Sequence, residues 1–329
     1  MTRSVVQMGT IVTVQLVGEG SDQEEAATRE NSVERALAWF QRVEESCTRF
    51  DPTSELMRLL SHVGEPVSVS ELLFEAVQFA LAVAEESGGA FDPTVGGAME
   101  RHGFNREYRT GRSVQTRLQA DRSVSYRDLQ LDSAKRSITL LRPLVLDLGA
   151  VVKGLAIDMA ARELRRFEHF AIDAGGDLYL GGHNLAGEPW SVGIRHPRRD
   201  RELIDSLKIS DAAVCTSGDY ERTSPSGNGA HHILDPRTGE SAEGVASVTV
   251  VAPTAMAADA LATAAFVLGP REGLRLLERQ GVHGLIITTA MEQYLTSGMG
   301  TLRCGLDRAS SGEVGVQGSE FSFQGSKFR

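Results

Sequence analysis

The stretch from Ser247 to Gly269, SVTVVAPTAMAADALATAAFVLG, constrains the fold more than any other part of the chain. Val248, Val250 and Val251 around Thr249 read as a β-strand. Pro253 and Thr254 then mark a helix start, with Thr254 as the N-cap. The predicted helix, Ala255 to Leu268, carries one charged residue, Asp259, and stops at Gly269-Pro270. A helix that is small and apolar all round is buried on all sides. A lone carboxylate in it needs an ion pair, hydrogen bonds or a metal, because burying it bare is very costly. Thr263 lies four residues on and shares the face of Asp259. Carboxylate plus hydroxyl is hard-oxygen chemistry that suits Mg²⁺. The plainer alternative is that Asp259 favours an early helical turn electrostatically or points to solvent. On this stretch alone both readings stand open.

With 329 residues the chain has room for one large domain or two ordinary ones, and no linker divides it. Its apolar and charged fractions, 41% and 24%, are those of a soluble globular protein. The net charge of −10 argues against a general nucleic-acid binder. A phosphate ligand must then be held by a few local cations, backbone amides or a metal. Cys47, Cys215 and Cys304 have no ligand spacing and read as ordinary thiols. The start, MTRSVVQMGTIVTVQL, alternates like a strand, without the apolar core of a signal peptide or an early lipid-carrying Cys. No segment supplies a transmembrane run of about 18 apolar residues. The expectation is a cytoplasmic protein with no membrane insertion.

Along the chain, Ser4–Val17 reads as a strand broken at Met8-Gly9. Helices are predicted over Glu24–Cys47, from the Phe50–Ser54 turn through Leu60, and over Glu71–Glu86. The loop Ala90–Gly97, AFDPTVGG, repeats the FDPT of Phe50–Thr53, as common turn chemistry. Asn105–Ser123 is polar and reads as a loop with a short helix. Strands are expected near Val124–Leu131, Ser137–Leu141 and Val145–Leu148, then a helix over Val151–Arg166. His169–Asp173, Asp177–Leu180, Trp190–Arg195, Ile204–Ile209 and Ala212–Thr216 read as further strands. A helix near Glu272–Arg279 and strands at Leu285–Thr289 and Gln293–Thr296 follow, and from Arg303 a Gly/Ser-rich tail reads as poorly ordered. Strands without regular βα alternation indicate an α+β fold in a single domain over residues 4–302.

Several segments carry chemistry weakly when taken singly. In VLDLGAVVKGLAID, Val145–Asp158, Lys153 lies in a first helical turn whose free amides suit a phosphate. The segment lacks the Gly-Lys-Ser/Thr ending of a P-loop, and taken alone a tight corner with a solvated lysine explains it better. Asp147, ending an apolar strand, is placed to accept from a ligand's polar edge. IDAGGDLYLGG, Ile172–Gly182, reads mainly as a hairpin turn with Asx bonding. CTSGDYER, Cys215–Arg222, lacks the Gly-x-Ser-x-Gly elbow of a hydrolase. In HHILDPRTG, His231–Gly239, His232 is positioned to act on a phosphate, though a lone His is more often structural.

Combined and in order, these segments resemble the ApbE family of Mg²⁺-dependent FAD:protein FMN transferases. MGT at Met8, FDPTSEL at Phe50, GGAFDPTVG, LDLGAVVKG, IDAGGD, TSGDYER, HHILDPRTG and APTAMAADALATA carry the resemblance, which spans Ser4 to Thr301. It implies an ApbE-type α+β fold with helix-flanked β-rich halves and a flavin cleft between them. It further implies Asp259 and Thr263 as side-chain Mg²⁺ ligands and Ala150 as a backbone-carbonyl ligand. Met8, Phe50, Ala90, Phe91, Asp92, Asp147, Lys153 and Ile233 match FAD-contacting positions, and His232 the catalytic His beside the pyrophosphate. Phe50 stands where many members have Tyr, and His102 where Trp is common.

The implied reaction moves FMN from FAD to a Thr or Ser hydroxyl of a partner flavoprotein and releases AMP. Its target sites look like Asp-x-x-Ser/Thr-Gly-Ala/Ser-Thr/Ser. Thr296-Ser297-Gly298 is the nearest segment here, but Met299 follows, so the acceptor is expected to be another protein. Two alternatives stay open at this point. One is an Mg²⁺-dependent FAD pyrophosphatase, in which water replaces the acceptor. The other is a non-catalytic flavin-binding protein.

Overall fold

A computed structural model describes residues 1–18, 20, 22–116, 123–224 and 230–305. Residues 306–329, most of the predicted tail, and part of the 105–123 loop lie outside the described residues. In chain order the elements begin with β1 (Thr2–Gln7), β2 (Thr10–Leu16), α1 (Gln23–Cys47), α2 (Glu55–Leu60), β3 (Pro66–Ser68), α3 (Glu71–Glu86) and α4 (Gly96–Arg101). Next come β4 (Leu129–Asp132), β5 (Ser137–Leu140), α5 (Gly149–Leu164), β6 (Phe170–Ala174), β7 (Asp177–Gly181), β8 (Trp190–Arg195) and β9 (Leu203–Ile209). The chain continues through β10 (Ala212–Gly218), β11 (Val245–Ala252), α6 (Ala255–Arg279), β12 (His283–Thr288) and β13 (Gln293–Leu295).

Eight strands form one sheet in the order β1-β2-β6-β7-β10-β11-β12-β13, antiparallel at each pairing. Small sheets, β3-β5-β4 and the ribbon β8-β9, complete the α+β architecture. The apolar run of β11 has a physical reason: all eight of its residues are buried, because both faces of the sheet are covered. Val248, Val250 and Ile286 face the core shared with α1, α3, α5 and α6. Val251, Leu285 and Ile287 face the other way, against Trp190, Leu207 and Ile209 of the ribbon.

The alanine-rich start of α6 lets helices approach closely. A Cβ on Gly154 of α5 would lie 2.5 Å from the Ala255 carbonyl, so only glycine fits that crossing. Asp158, one turn further along α5, accepts from the amides of Ala255 at 2.7 Å and Met256 at 3.0 Å. Thr254 caps the same helix by accepting from the Ala257 amide. Gly269, at φ 78°, breaks α6 ahead of Pro270 into the two helical segments that the sequence predicts.

The expected strand Val145–Leu148 is corrected to a non-strand segment. It holds a single bridge to Val95, and the Asp147 amide donates to the Pro93 carbonyl at 2.8 Å. Its apolar side chains fill the core without pairing the segment into a sheet. The expected strand from Val124 begins instead as a 3₁₀ turn, Tyr126–Asp128, because Ser125 and Asp128 form a capping box. The short helix α4 follows the second FDPT, where the two glycines gave no helical signal. Residues 105–116 contain no helix. Arg303, at the predicted start of the tail, ion-pairs with Asp205 and bridges to Leu207 of β9.

Candidate active site

Helices α5 and α6 cross over β7 and β10, and their polar side chains meet there. Asp259 is buried, and its Oδ2 has no hydrogen-bond partner. Burial, then the nearby Asp177, pushes its carboxyl well above the usual range against Lys153, Arg222 and the Gly154 amide. Lys153 of α5 ion-pairs with Asp177 of β7. Burial pushes the ammonium down, but Asp177 and Asp259 outweigh it and raise it. The Thr263 hydroxyl lies one turn along α6 from Asp259, 3.0 Å from the Ser217 hydroxyl of β10. Lys153 is therefore a paired cation within the site. Asp173 supplies the Asx bond expected of the IDAGGD hairpin, accepting from the Gly176 amide at 2.8 Å.

This group fits a hard divalent cation. No cluster of three or more His, Cys, Asp or Glu with metal-holding geometry occurs among the described residues. Asp259 with its unpartnered Oδ2 and the Thr263 hydroxyl are oxygen donors, the type that Mg²⁺ takes, and Ala150 lies in the first turn of α5, three residues before Lys153. Mg²⁺ leaves several positions to water and phosphate oxygens, so few protein ligands suffice.

A second group lies beside the first. Asp147 accepts from Arg49 Nε at 2.6 Å and from the Gly149 amide at 2.8 Å. Burial raises its carboxyl, but Arg49 and Gly149 outweigh that and hold it below the usual range. The Arg49 guanidinium lies 4.4 Å over the Phe50 ring and donates to the Phe104 carbonyl. Phe104 stands edge-on to His232, with 6.4 Å between ring centroids. Burial, then the Arg222 charge, pushes His232 down to about 3, so its ring is neutral at neutral pH. Its Nδ1 is buried without a partner. Arg222 acts electrostatically on Asp147, Lys153, His232 and Asp259, which joins the two groups into one site.

The other expected residues enter differently. Ala90, Phe91 and Asp92 are buried, and the Phe91 amide already donates to Ser87 Oγ. Asp92 accepts from the Thr94 amide and hydroxyl and from the Tyr126 amide, so its carboxylate holds the loop together. Ile233 is 4% exposed and belongs to the core. Met8 occupies the β1–β2 turn at φ 52°, followed by Gly9 at φ 74°, as a two-residue hairpin loop requires. That hairpin packs against Gly175, whose Cβ would fall 2.1 Å from Thr10 Oγ1, and so reaches the turn that leads to Asp177. Sequence reading missed Asp177, Ser217, Arg222 and Arg49. The first three lie in segments already singled out, IDAGGD and TSGDYER; Arg49 directly precedes Phe50.

The model of the ApbE family matches residues 8–286. An FAD:protein FMN transferase of Haemophilus influenzae is 28% identical over 88% of this chain and 86% of that protein. The one from Escherichia coli K12 is 31% identical over 74% of this chain and 72% of its own. Among solved structures, the ApbE protein of Thermotoga maritima superposes with a TM-score of 0.81 at 30% identity, covering 92% of this chain and 99% of that one. The flavin transferase ApbE of Vibrio cholerae gives 0.77 at 28% identity, covering 92% and 98%. With its sheet, its paired helices and the buried Asp259 all accounted for, the chain belongs to the ApbE family.

Proposed function

We propose that this chain is an Mg²⁺-dependent transferase that moves FMN from FAD to a Thr or Ser hydroxyl of a partner flavoprotein and releases AMP. The observation that carries the reading is Asp259, a buried carboxylate with an unpartnered oxygen beside two hydroxyls and two cations. A carboxylate in that position is ready for a ligand. In this reading Asp259, Thr263 and the Ala150 carbonyl hold Mg²⁺. The ion, when bound, supplies charge stabilisation for the pyrophosphate as its bond breaks.

The chain's own residues do the rest. Lys153 and Arg222 offset phosphate charge that a protein of net charge −10 must concentrate locally. Phe50 offers a face to a flat ring, and Asp147 keeps lone pairs free beyond its two internal bonds. His232, held neutral, acts as an N–H donor to a phosphate oxygen, in place of an imidazolium. One P–O bond to AMP breaks, one P–O bond to the acceptor oxygen forms, and the hydroxyl proton leaves to solvent or a nearby carboxylate. The acceptor is a separate protein bearing the Asp-x-x-Ser/Thr-Gly-Ala/Ser-Thr/Ser type of site. No helix of the described residues is long and apolar enough to cross a membrane. The three unbridged cysteines are compatible with the cytoplasm as the proposed compartment.

The test is to incubate the protein with FAD, Mg²⁺ and a domain bearing that acceptor site, then weigh the domain. A gain of one FMN phosphoryl adduct, with equimolar AMP, is expected. FMN and AMP free in solution with the acceptor unmodified would instead identify a pyrophosphatase, and intact FAD would identify a binding protein.

A further inference from the structure

Arg49 is 4% exposed, an unusual place for a guanidinium. Its position follows from a tightly bonded link between α1 and α2. The Phe50 amide donates to Thr48 Oγ1 at 3.1 Å, Ser54 Oγ donates to the Thr48 carbonyl at 2.6 Å, and Ser54 caps α2. The link turns Arg49 inward, where it makes three contacts at once. Nε meets Asp147, Nη2 meets the Phe104 carbonyl, and the guanidinium plane covers the Phe50 ring. Nη1 is buried with no partner. Ordinary structural arginines spend their donors on the protein; this one keeps one in reserve.

We propose that Arg49 is the positioning residue that fixes Phe50, Asp147 and the Phe104 segment as one unit and thereby sets how tightly the flavin end of FAD is held. The proposal rests on the flavin-transfer reading above. Asp147 lies 98 positions from Arg49 in sequence, and Arg49 is the side chain that touches both it and Phe50. A single ammonium has no planar fork with which to cover a ring and donate in two directions. Phe104 links the same guanidinium to the ring of His232, so a shift of Arg49 moves the flavin end first and the phosphate end second.

The experiment measures KM for FAD, kcat, and inhibition by FMN and by ADP in the full chain, for wild type, Arg49→Lys and Arg49→Met. Arg49→Lys keeps a cation against Asp147 and preserves the fold, as its melting temperature will show; Arg49→Met removes the charge while keeping an apolar stem. KM is expected to rise by about tenfold in Arg49→Met and less in Arg49→Lys. In both, kcat should stay within about threefold of wild type. FMN inhibition should weaken in step with KM while ADP inhibition holds, a split that general loosening of the fold would not produce. Unchanged KM in both variants, equal weakening of FMN and ADP, or a fall in kcat at constant KM would overturn the role. Wild-type protein that takes up no FAD would overturn the flavin reading and this proposal with it. Normal wild-type turnover with Arg49→Lys and Arg49→Met both indifferent removes only Arg49.

Discussion

Asp158 and Asp259 are two buried carboxylates on adjoining helices, both in runs of small apolar residues, and they have opposite fates. Asp158 spends both oxygens on the first amides of α6. Asp259 leaves Oδ2 without a partner, next to Asp177 and Lys153. Burial pushes both carboxyls up, Asp158 to about 6. The difference shows that burial alone does not mark a functional acid. The mark is burial with hydrogen-bonding capacity left over.

The comparison breaks most sharply on activity. Asp259→Ala is expected to lower FMN transfer on the order of 10³-fold, the scale at which removing charge stabilisation from a transition state is felt. Its melting temperature should be unchanged or higher, since an unsatisfied buried charge disappears. Excess chelator should reproduce the loss in wild type. Asp158→Ala should do the reverse, losing about 2–3 kcal/mol of stability with the cap and its hydrogen bonds. Its kcat per folded molecule should stay within about threefold of wild type. Denaturant titration beside the transfer assay checks both variants; loss of activity without loss of stability in Asp158→Ala would dissolve the contrast.

Thr263→Val sharpens the same comparison at smaller scale. A neutral oxygen can be replaced by water, so about a tenfold fall in transfer is expected, with a higher Mg²⁺ requirement. Asp158 also predicts a pH signature. Its folded pKa lies above its ordinary value of 3.8, so its contribution to stability is full below that value and is lost as pH rises through about 6. Between pH 4 and 7 the melting temperature of Asp158→Asn should therefore decline less than that of wild type. An identical slope in the two would mean that Asp158 does not titrate in this window.

The smallest expected effects separate the two FDPT segments. Both form the same Asx turn, with Asp51 bonded to Thr53 and Asp92 to Thr94. Asp51 faces solvent, whereas Asp92 is buried and also holds the Tyr126 amide. Asp92→Ala should cost about 2 kcal/mol and Asp51→Ala under about 1, read by chemical denaturation. Equal costs would show that the turn, and not its burial, carries the stability.

The local parts of this molecule were legible in its sequence. Period and caps placed α3 at Glu71–Glu86 and β8 at Trp190–Arg195, and the lone charge in an alanine-rich helix pointed to Asp259. The FDPT turns followed from Asp, Pro and Thr chemistry. What escaped depends on contacts between distant segments. The segment around Lys153 is explained better, taken alone, by a solvated lysine, and only the fold brings Asp177 to it from another strand. Val145–Leu148 has the apolar pattern of a strand but spends its backbone on the DPT loop. Arg49 lies in no motif that the sequence singles out, and only the fold brings Asp147 and the Phe104 carbonyl to it.

Mg²⁺ binding measured by calorimetry on wild type, Asp158→Asn and Asp259→Asn tests the central claim most directly. The account predicts that wild type and Asp158→Asn bind one Mg²⁺ in the presence of FAD, while Asp259→Asn, equally folded, binds none. Binding of Mg²⁺ by Asp259→Asn with wild-type affinity would contradict it.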